Sequence, residues 1–176
     1  MDRVVSLIVC GAPLAARAPD LVARLVTSGW TVSVVGTAAS TSWIDEAALG
    51  APIRRDYRSP AEPKRDARPG VVVVCPATFN TLNKAAAGIA DSYALGVLCE
   101  ALGAGTPALL VPMVNDRLWG HPSWARSLAI LAESDATFID IRTGALGTSP
   151  VPSGTGGEVV ANFDPAWIAS RLAALG

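Results

Sequence analysis

Short runs of consecutive apolar residues recur along the chain and alternate with stretches of helical spacing. Residues 4–10 (VVSLIVC), 30–35 (WTVSVV), 71–75 (VVVVC), 108–111 (ALLV) and 136–141 (ATFIDI) are each predicted to be strands. A continuous Val- or Leu-rich run too short for a helix reads as a strand buried on both faces, as in a parallel sheet. Residues 14–28 place Leu21, Val22, Leu25 and Val26 at helical spacing, and Gly29 is a natural stop. Helices are also predicted over 43–49 behind a Ser42 cap, 82–90, 92–102 behind an Asp91 cap, 123–134 and 165–175. Residues 50–70 carry Pro52, Pro60, Pro63 and Pro69 among Arg54, Arg55, Asp56, Arg58, Glu62, Lys64, Arg65 and Asp66. That segment predicts an exposed connection with one short strand near Ile53. Residues 143–162, rich in Gly, Ser, Thr and Pro, predict a mobile loop or flap. Strands alternating with helices imply a doubly wound parallel sheet in a single domain.

Composition narrows the class. The chain has 176 residues, half of them hydrophobic, and a net charge of −1. This length is enough for one domain with a full core. No stripe alternates basic and aromatic residues, so nucleic-acid binding is not expected. No apolar run is long enough to span a bilayer, and Met1-Asp2-Arg3 leads into only a strand-length apolar run, so no secretion signal is expected. The cysteines, Cys10, Cys75 and Cys99, are odd in number and in apolar contexts. They predict reduced thiols in a cytoplasmic protein.

The chemistry is expected where strands end. The loops at 11–14, 36–42, 76–81 and 112–119 would share the carboxyl edge of a parallel sheet, where ligands sit. Their small residues let a ligand approach the backbone. The hydroxyls of Thr37, Ser40, Thr41, Thr78 and Thr81, with free helix N–H groups, suit a phosphate. Turn and cap roles are the bland alternative for each residue taken alone. There is no P-loop, no GxGxxG and no GxSxG elbow. His121 is the only histidine, and no acidic cluster has metal spacing, so no metal site is expected.

Two of these loops carry motifs. Pro76-Ala77-Thr78-Phe79-Asn80-Thr81 resembles the PASANT motif of the homo-oligomeric flavin-containing cysteine decarboxylases. Pro112-Met113-Val114-Asn115-Asp116-Arg117-Leu118-Trp119 resembles their PxMNxxMW motif, shifted by one residue and with Leu118 in place of Met. Asn83-Lys84, Gly88-Ile89 and Asp91 after the first motif, and Gly120 and Pro122 after the second, extend the likeness. It is strongest to the peptidyl-cysteine decarboxylases of lantibiotic biosynthesis, such as the epidermin enzyme.

The resemblance implies a flavodoxin-like (Rossmann-like) domain over 1–176 that binds FMN and assembles as a homotrimer or dodecamer. It implies FMN contacts from Gly11, Ala12, Thr37, Ser40, Pro76, Ala77, Thr78, Asn80, Thr81 and Met113. It gives Asn115 the catalytic substrate contact, and it makes the region around 149–159, with Ser153 and Gly154, a substrate clamp. The implied reaction is oxidation of a C-terminal cysteine thiol of a peptide, or of a small thiol, with loss of carbon dioxide to leave an enethiol. The protein supplies position and electrostatics.

The departures are specific. The family's catalytic His falls at Glu62 by counting back from Pro76, and no His lies nearby. The clamp region lacks the Cys found in phosphopantothenoylcysteine decarboxylases, which argues against coenzyme A biosynthesis. Phe79 replaces a small motif residue and would either meet the flavin or pack. Two alternatives therefore stand beside the decarboxylase: an FMN-binding subunit or regulator, with or without a partner protein, and a flavin prenyltransferase-like enzyme. His121 is expected to cap or face solvent, Cys10 and Cys75 to be inert, Trp119 and Trp124 to be core or interface aromatics, and Arg54, Arg55 and Arg58 to form a solvated cluster.

Overall fold

The structure is a computed structural model that describes residues 3–62 and 69–175. The strands are β1 (Val4–Val9), β2 (Thr31–Gly36), β3 (Ile53–Arg54), β4 (Val71–Ala77), β5 (Ala108–Pro112) and β6 (Ala136–Phe138). They form one six-stranded sheet in the order β3-β2-β1-β4-β5-β6. Every pairing is parallel, with Val5 opposite Val32 and Val71, and Val73 opposite Leu109. The strand order reverses direction at β1 and β4, the switch point at which open α/β sheets hold ligands. This is the flavodoxin-like, doubly wound sheet in a single domain.

The continuous Val run has its expected cause. Val71, Val72, Val73 and Val74 are all fully buried because both faces of β4 are covered. Val71, Val73 and Cys75 pack on one side with α1 (Ala18–Thr27), α6 (Gly156–Asn162) and α7 (Ala166–Ala173). Val72 and Val74 pack on the other with α2 (Phe79–Ala86), α3 (Tyr93–Gly103) and α5 (Pro122–Glu133). A one-turn helix, α4 (Asp116–Trp119), follows β5. Among the described residues no helix is long and apolar enough to cross a membrane.

Several elements differ from their sequence expectation. The stretch at 14–28 splits into a 3-10 turn, Pro13–Arg17, and α1. Pro19 has no N–H to continue a ladder from Ala15, so it starts a new helix instead. Residues 43–49 form turns, because Asp45 accepts from the N–H groups of Ala47 and Ala48 at 3.1 and 3.4 Å. Ser92, not Asp91, caps α3; Asp91 pairs with Lys84 at 2.6 Å. Strand β6 ends at Phe138, and Asp140 then turns the chain by accepting from the N–H groups of Arg142 and Thr143 at 3.0 and 3.1 Å. Arg55 is paired with Glu46 at 2.7 Å, so the cluster around it is not purely solvated. The expectation for Pro63, Lys64, Arg65 and Asp66 lies outside the described residues.

The largest correction is at 143–162. This segment ends in helix α6, and much of the rest is tied down. Asp140 accepts from the Thr143 hydroxyl at 3.1 Å and from the Ser149 hydroxyl. Gly147 N–H donates to Phe138 O at 2.9 Å, and Arg171 donates to Gly144 O at 3.3 Å. Gly144 has φ +68°, and a Cβ there would run into the Trp167 ring, so the turn is seated against α7. Burial pushes the Asp140 carboxyl upward, but the Ser149 and Thr143 hydroxyls and two N–H groups outweigh it and hold it below the ordinary range.

Trp124 shows what one buried side chain holds together. It is 1 % exposed, stacks on Phe79 at 5.4 Å and meets the edge of Trp119 at 5.4 Å. Its Nε1 has no hydrogen-bond partner among the described residues. Trp124→Ala is expected to cost about 3–5 kcal/mol in urea denaturation. Trp124→Phe should cost far less, because it removes an unpaired donor along with the lost volume.

Candidate functional site

The loops expected at the carboxyl edge are stitched together there by backbone hydrogen bonds. Cys10 N–H donates to Pro76 O at 3.2 Å, Thr37 N–H to Val9 O at 3.0 Å, and Met113 N–H to Ala77 O at 2.8 Å. The Cys75–Pro76 peptide is cis. Gly11 is where two loops touch, since a Cβ on it would lie 2.5 Å from Ala39 O and 2.6 Å from Ala39 Cβ.

The hydroxyls divide into two groups. Ser40 is fully buried and donates to Thr37 O at 2.7 Å, and Thr81 is 4 % exposed. Thr81 Oγ1 lies 3.4 Å from Cys10 Sγ and 3.0 Å from Thr78 Oγ1, which caps α2 by accepting from Thr81 N–H. The direction that satisfies all three groups runs from Cys10 to Thr81 to Thr78. It leaves the Thr78 hydroxyl proton for a partner outside this chain of bonds. Ser40 and Thr81 are thus spent on the fold. Thr37 is different: its Oγ1 is buried and has no partner among the described residues. Asn80 is exposed in the first turn of α2, where N–H groups have no intrahelical acceptor.

The two strand-end thiols are inert. Burial pushes Cys10 above its ordinary value, and burial, with a smaller contribution from Cys10, does the same to Cys75. They also lie on opposite faces of the sheet.

Beside these loops is an open cavity of about 400 Å³ lined by Pro13, Met113, Asn115, Val151, Pro152, Ser153, Gly154 and Gly156. It brings four expected residues together: Met113, Asn115, Ser153 and Gly154. Asn115 caps α4 through Oδ1, which accepts from Leu118 N–H at 2.9 Å. The cap uses the acceptor of the amide and leaves its NH₂ donors for a ligand. Val151 N–H donates to Val114 O at 2.9 Å, and Asp116 N–H donates to Val151 O at 3.2 Å. Asp116 Oδ1 accepts from Ser153 N–H at 3.1 Å and from Ser153 Oγ at 2.5 Å. The Ser153 hydroxyl is the main cause holding the Asp116 carboxyl below its ordinary value.

Asp116 was not among the expected site residues. It adjoins Asn115, but sequence gives no sign of a partner 37 residues on. Pro13 falls in the expected 11–14 loop, and Val151, Pro152 and Gly156 fall in the expected clamp region at 149–159, though none is singled out there as a contact.

Other candidates fall outside. His121 caps α5, with Nδ1 3.1 Å from Ser123 N and 2.8 Å from Ser123 Oγ. Phe79 packs between Trp124 and the His121 edge. Glu62 is exposed, and its Oε2 accepts from Ser59 N–H at 3.1 Å. Among the described residues no group of three His, Cys, Asp or Glu is placed to hold a metal ion. A second concavity, of about 470 Å³, holds Arg3, Arg24 and Trp30 at the opposite edge. There Arg3 donates to Ser28 O, the C-cap of α1, at 3.3 Å, as cations at helix C-termini do.

The profile of the Flavoprotein family matches residues 2–157. The chain belongs to the Flavoprotein family. It is 27 % identical over 165 residues to the coenzyme A biosynthesis bifunctional protein CoaBC of Bacillus subtilis, covering 87 % of this chain and 39 % of that protein. The chain thus spans about two-fifths of that curated relative. Its fold matches the FMN binding protein AtHal3 with a TM-score of 0.75 at 22 % identity, over 99 % of this chain and 97 % of that one. It matches the FMN-dependent cysteine decarboxylase SpaF with a TM-score of 0.65 at 24 % identity, over 94 % and 96 %. These structural likenesses establish the Flavoprotein fold.

Proposed function

We propose that this Flavoprotein binds FMN at the joined strand-end loops and oxidatively decarboxylates a C-terminal cysteine of a peptide. One observation carries the reading. Both motif loops meet at one edge of the sheet, where Asn115, with its amide donors available, lines a cavity closed on one side by Ser153 and Gly154.

The residues present fit the cofactor. Thr37 offers a buried hydroxyl that lacks a partner, Thr78 a hydroxyl proton, and α2 a first turn of N–H groups. Gly11, Ala12, Pro76 and Ala77 would hold the group by backbone approach, with Asn80 at the rim and Met113 between the loops and the cavity. Bound FMN supplies a two-electron acceptor for oxidation of the thiol, after which carbon dioxide leaves. The chain's own part is positional. The Asn115 amide orients the substrate carboxylate. Pro13, Met113, Val151 and Pro152 give the cavity apolar walls. Tyr93, Val97, Cys99 and Leu102 of α3 pack on the core only in part, beside the exposed Glu100, and a second copy covering that remaining apolar surface would make a homo-oligomer.

A second reading is favoured by Glu62. It stands in an exposed loop with its carboxylate bonded to Ser59 N–H, so it does not replace the family's histidine as a base. A chain without that base would bind FMN as a subunit that does not decarboxylate. The test is direct. Protein mixed with FMN should carry a flavin absorption spectrum; protein that remains colourless refutes both readings. Incubation with peptides ending in cysteine should remove about 46 Da, carbon dioxide plus two hydrogens, with turnover of the flavin. Bound FMN with no mass loss across a broad peptide set selects the second reading.

A further inference from the structure

The segment that covers the cavity is fastened unevenly. Before it, residues 143–151 are held by Asp140, Arg171, Phe138 and Val114. After it, α6 is held by its buried Val159 and by Arg17, which donates to Val160 O at 2.6 Å. Between these anchors, residues 152–155 form a local turn in which Thr155 N–H and Oγ1 donate to Pro152 O at 3.1 and 2.8 Å. Gly154, with φ +90°, gives this turn a backbone conformation that few other residues adopt. Pro152, Ser153 and Gly154 are exposed on their outer side. Among the described residues, their hydrogen-bonded tie to the rest of the fold is the Asp116 carboxylate, which receives both Ser153 donors.

We propose that Asp116 is the latch of this flap: by accepting both Ser153 donors it holds residues 152–154 beside Asn115 as one wall of the open cavity, and release of that pair lets this wall swing away. Asp116 is thus a positioning residue, because it sets where the flap stands and touches no reacting atom. The inference rests on the reading that substrate enters this cavity. It adds that the flap is fastened by a residue of the second motif loop before any substrate arrives. Access and the orientation of Asn115 are thereby coupled, since Asn115 and Asp116 are consecutive and both turn on the same α4 cap. The latch is a charge-assisted bond with two donors.

Amide hydrogen exchange on the full chain, with no substrate present, tests the latch itself. Asp116→Ala is expected to speed exchange at the Ser153 N–H by about 10-fold or more, while Gly147 and Val151 keep their protection. Asp116→Asn should restore much of the protection, because its Oδ1 still accepts. In turnover with a peptide ending in cysteine, Asp116→Ala should raise KM and leave kcat nearly unchanged. Unchanged exchange at Ser153, or equal acceleration at Gly147 and Ser153, overturns the proposal. A protein that shows this exchange pattern but turns over no peptide keeps the latch and loses the decarboxylase reading.

Discussion

Replacing Gly11 with alanine is expected to abolish flavin binding and lower the melting temperature by about 5 °C. The cause is a single methyl group. A Cβ at this position would sit 2.5 Å from the Ala39 carbonyl oxygen, and backbone cannot swing aside as a long side chain can. Relief must come from moving the β1 loop away from the β2 loop. That movement breaks the geometry of the Thr37 N–H to Val9 O bond, 3.0 Å long, and shifts the Thr37 hydroxyl. Overpacking of this kind costs about 1–3 kcal/mol. The cost in flavin affinity is larger, because both loops that would hold the cofactor are displaced together. Gly157→Ala is the control, since its Cβ meets nothing within 4 Å. Thermal melts and FMN titration by fluorescence read both effects. A Gly11→Ala protein that melts normally and binds FMN like the parent removes the β1–β2 contact from the site.

The sheet was legible in the sequence because its cause is local. Four consecutive valines with charges on neither side admit one environment, and Val71–Val74 occupy it. The motif loops were legible for a related reason. Pro76 and Pro112 close their strands, and the small and hydroxyl residues that follow suit turns and ligands alike. What stayed hidden was which hydroxyl faces which way. Ser40 and Thr81 have the same composition signal as Thr37 and Thr78, yet the first pair is consumed by bonds inside the fold. Only packing across strands decides that. Cys10 directly follows β1 and Thr81 lies in α2, and their contact spans 71 residues.

The 143–162 segment departs from its expected mobility for the converse reason. Gly, Ser, Thr and Pro predict mobility when nothing is known of partners. Here the same residues are used as connectors: Thr143 and Ser149 bond Asp140, Gly144 admits Trp167, and Ser153 reaches Asp116. A polar, small-residue loop and a fastened strap have the same composition. They differ only in whether an acceptor such as Asp140 or Asp116 waits opposite. At 43–49, Ser42 offers a cap but the buried pair Ile44 and Leu49 does not fall on one helical face, so no helix forms.

Asn115→Asp should reduce decarboxylation of a peptide ending in cysteine by about 100-fold in kcat/KM, with folding and flavin spectrum intact. The substitution separates the two jobs of the residue. Asp is as good an N-cap as Asn, so Oδ1 continues to accept from Leu118 N–H, and α4 stays capped. The NH₂ donors are lost, and a negative charge takes their place beside Asp116. A substrate carboxylate then meets repulsion where it had two donors. Losing a hydrogen bond to a charged group costs about 1.5–3 kcal/mol, and the repulsion adds to it. Asn115→Ala removes both jobs. It should lose activity to a similar extent and also lower the melting temperature by about 2–4 °C, the cost of one cap. The comparison of the two variants therefore assigns the loss. Activity lost in both, with stability lost only in Asn115→Ala, places the amide against the substrate. Parental turnover in Asn115→Asp would leave Asn115 a cap and nothing more. The carboxylate would then have to be held elsewhere in the cavity, where the remaining polar side chain is Ser153.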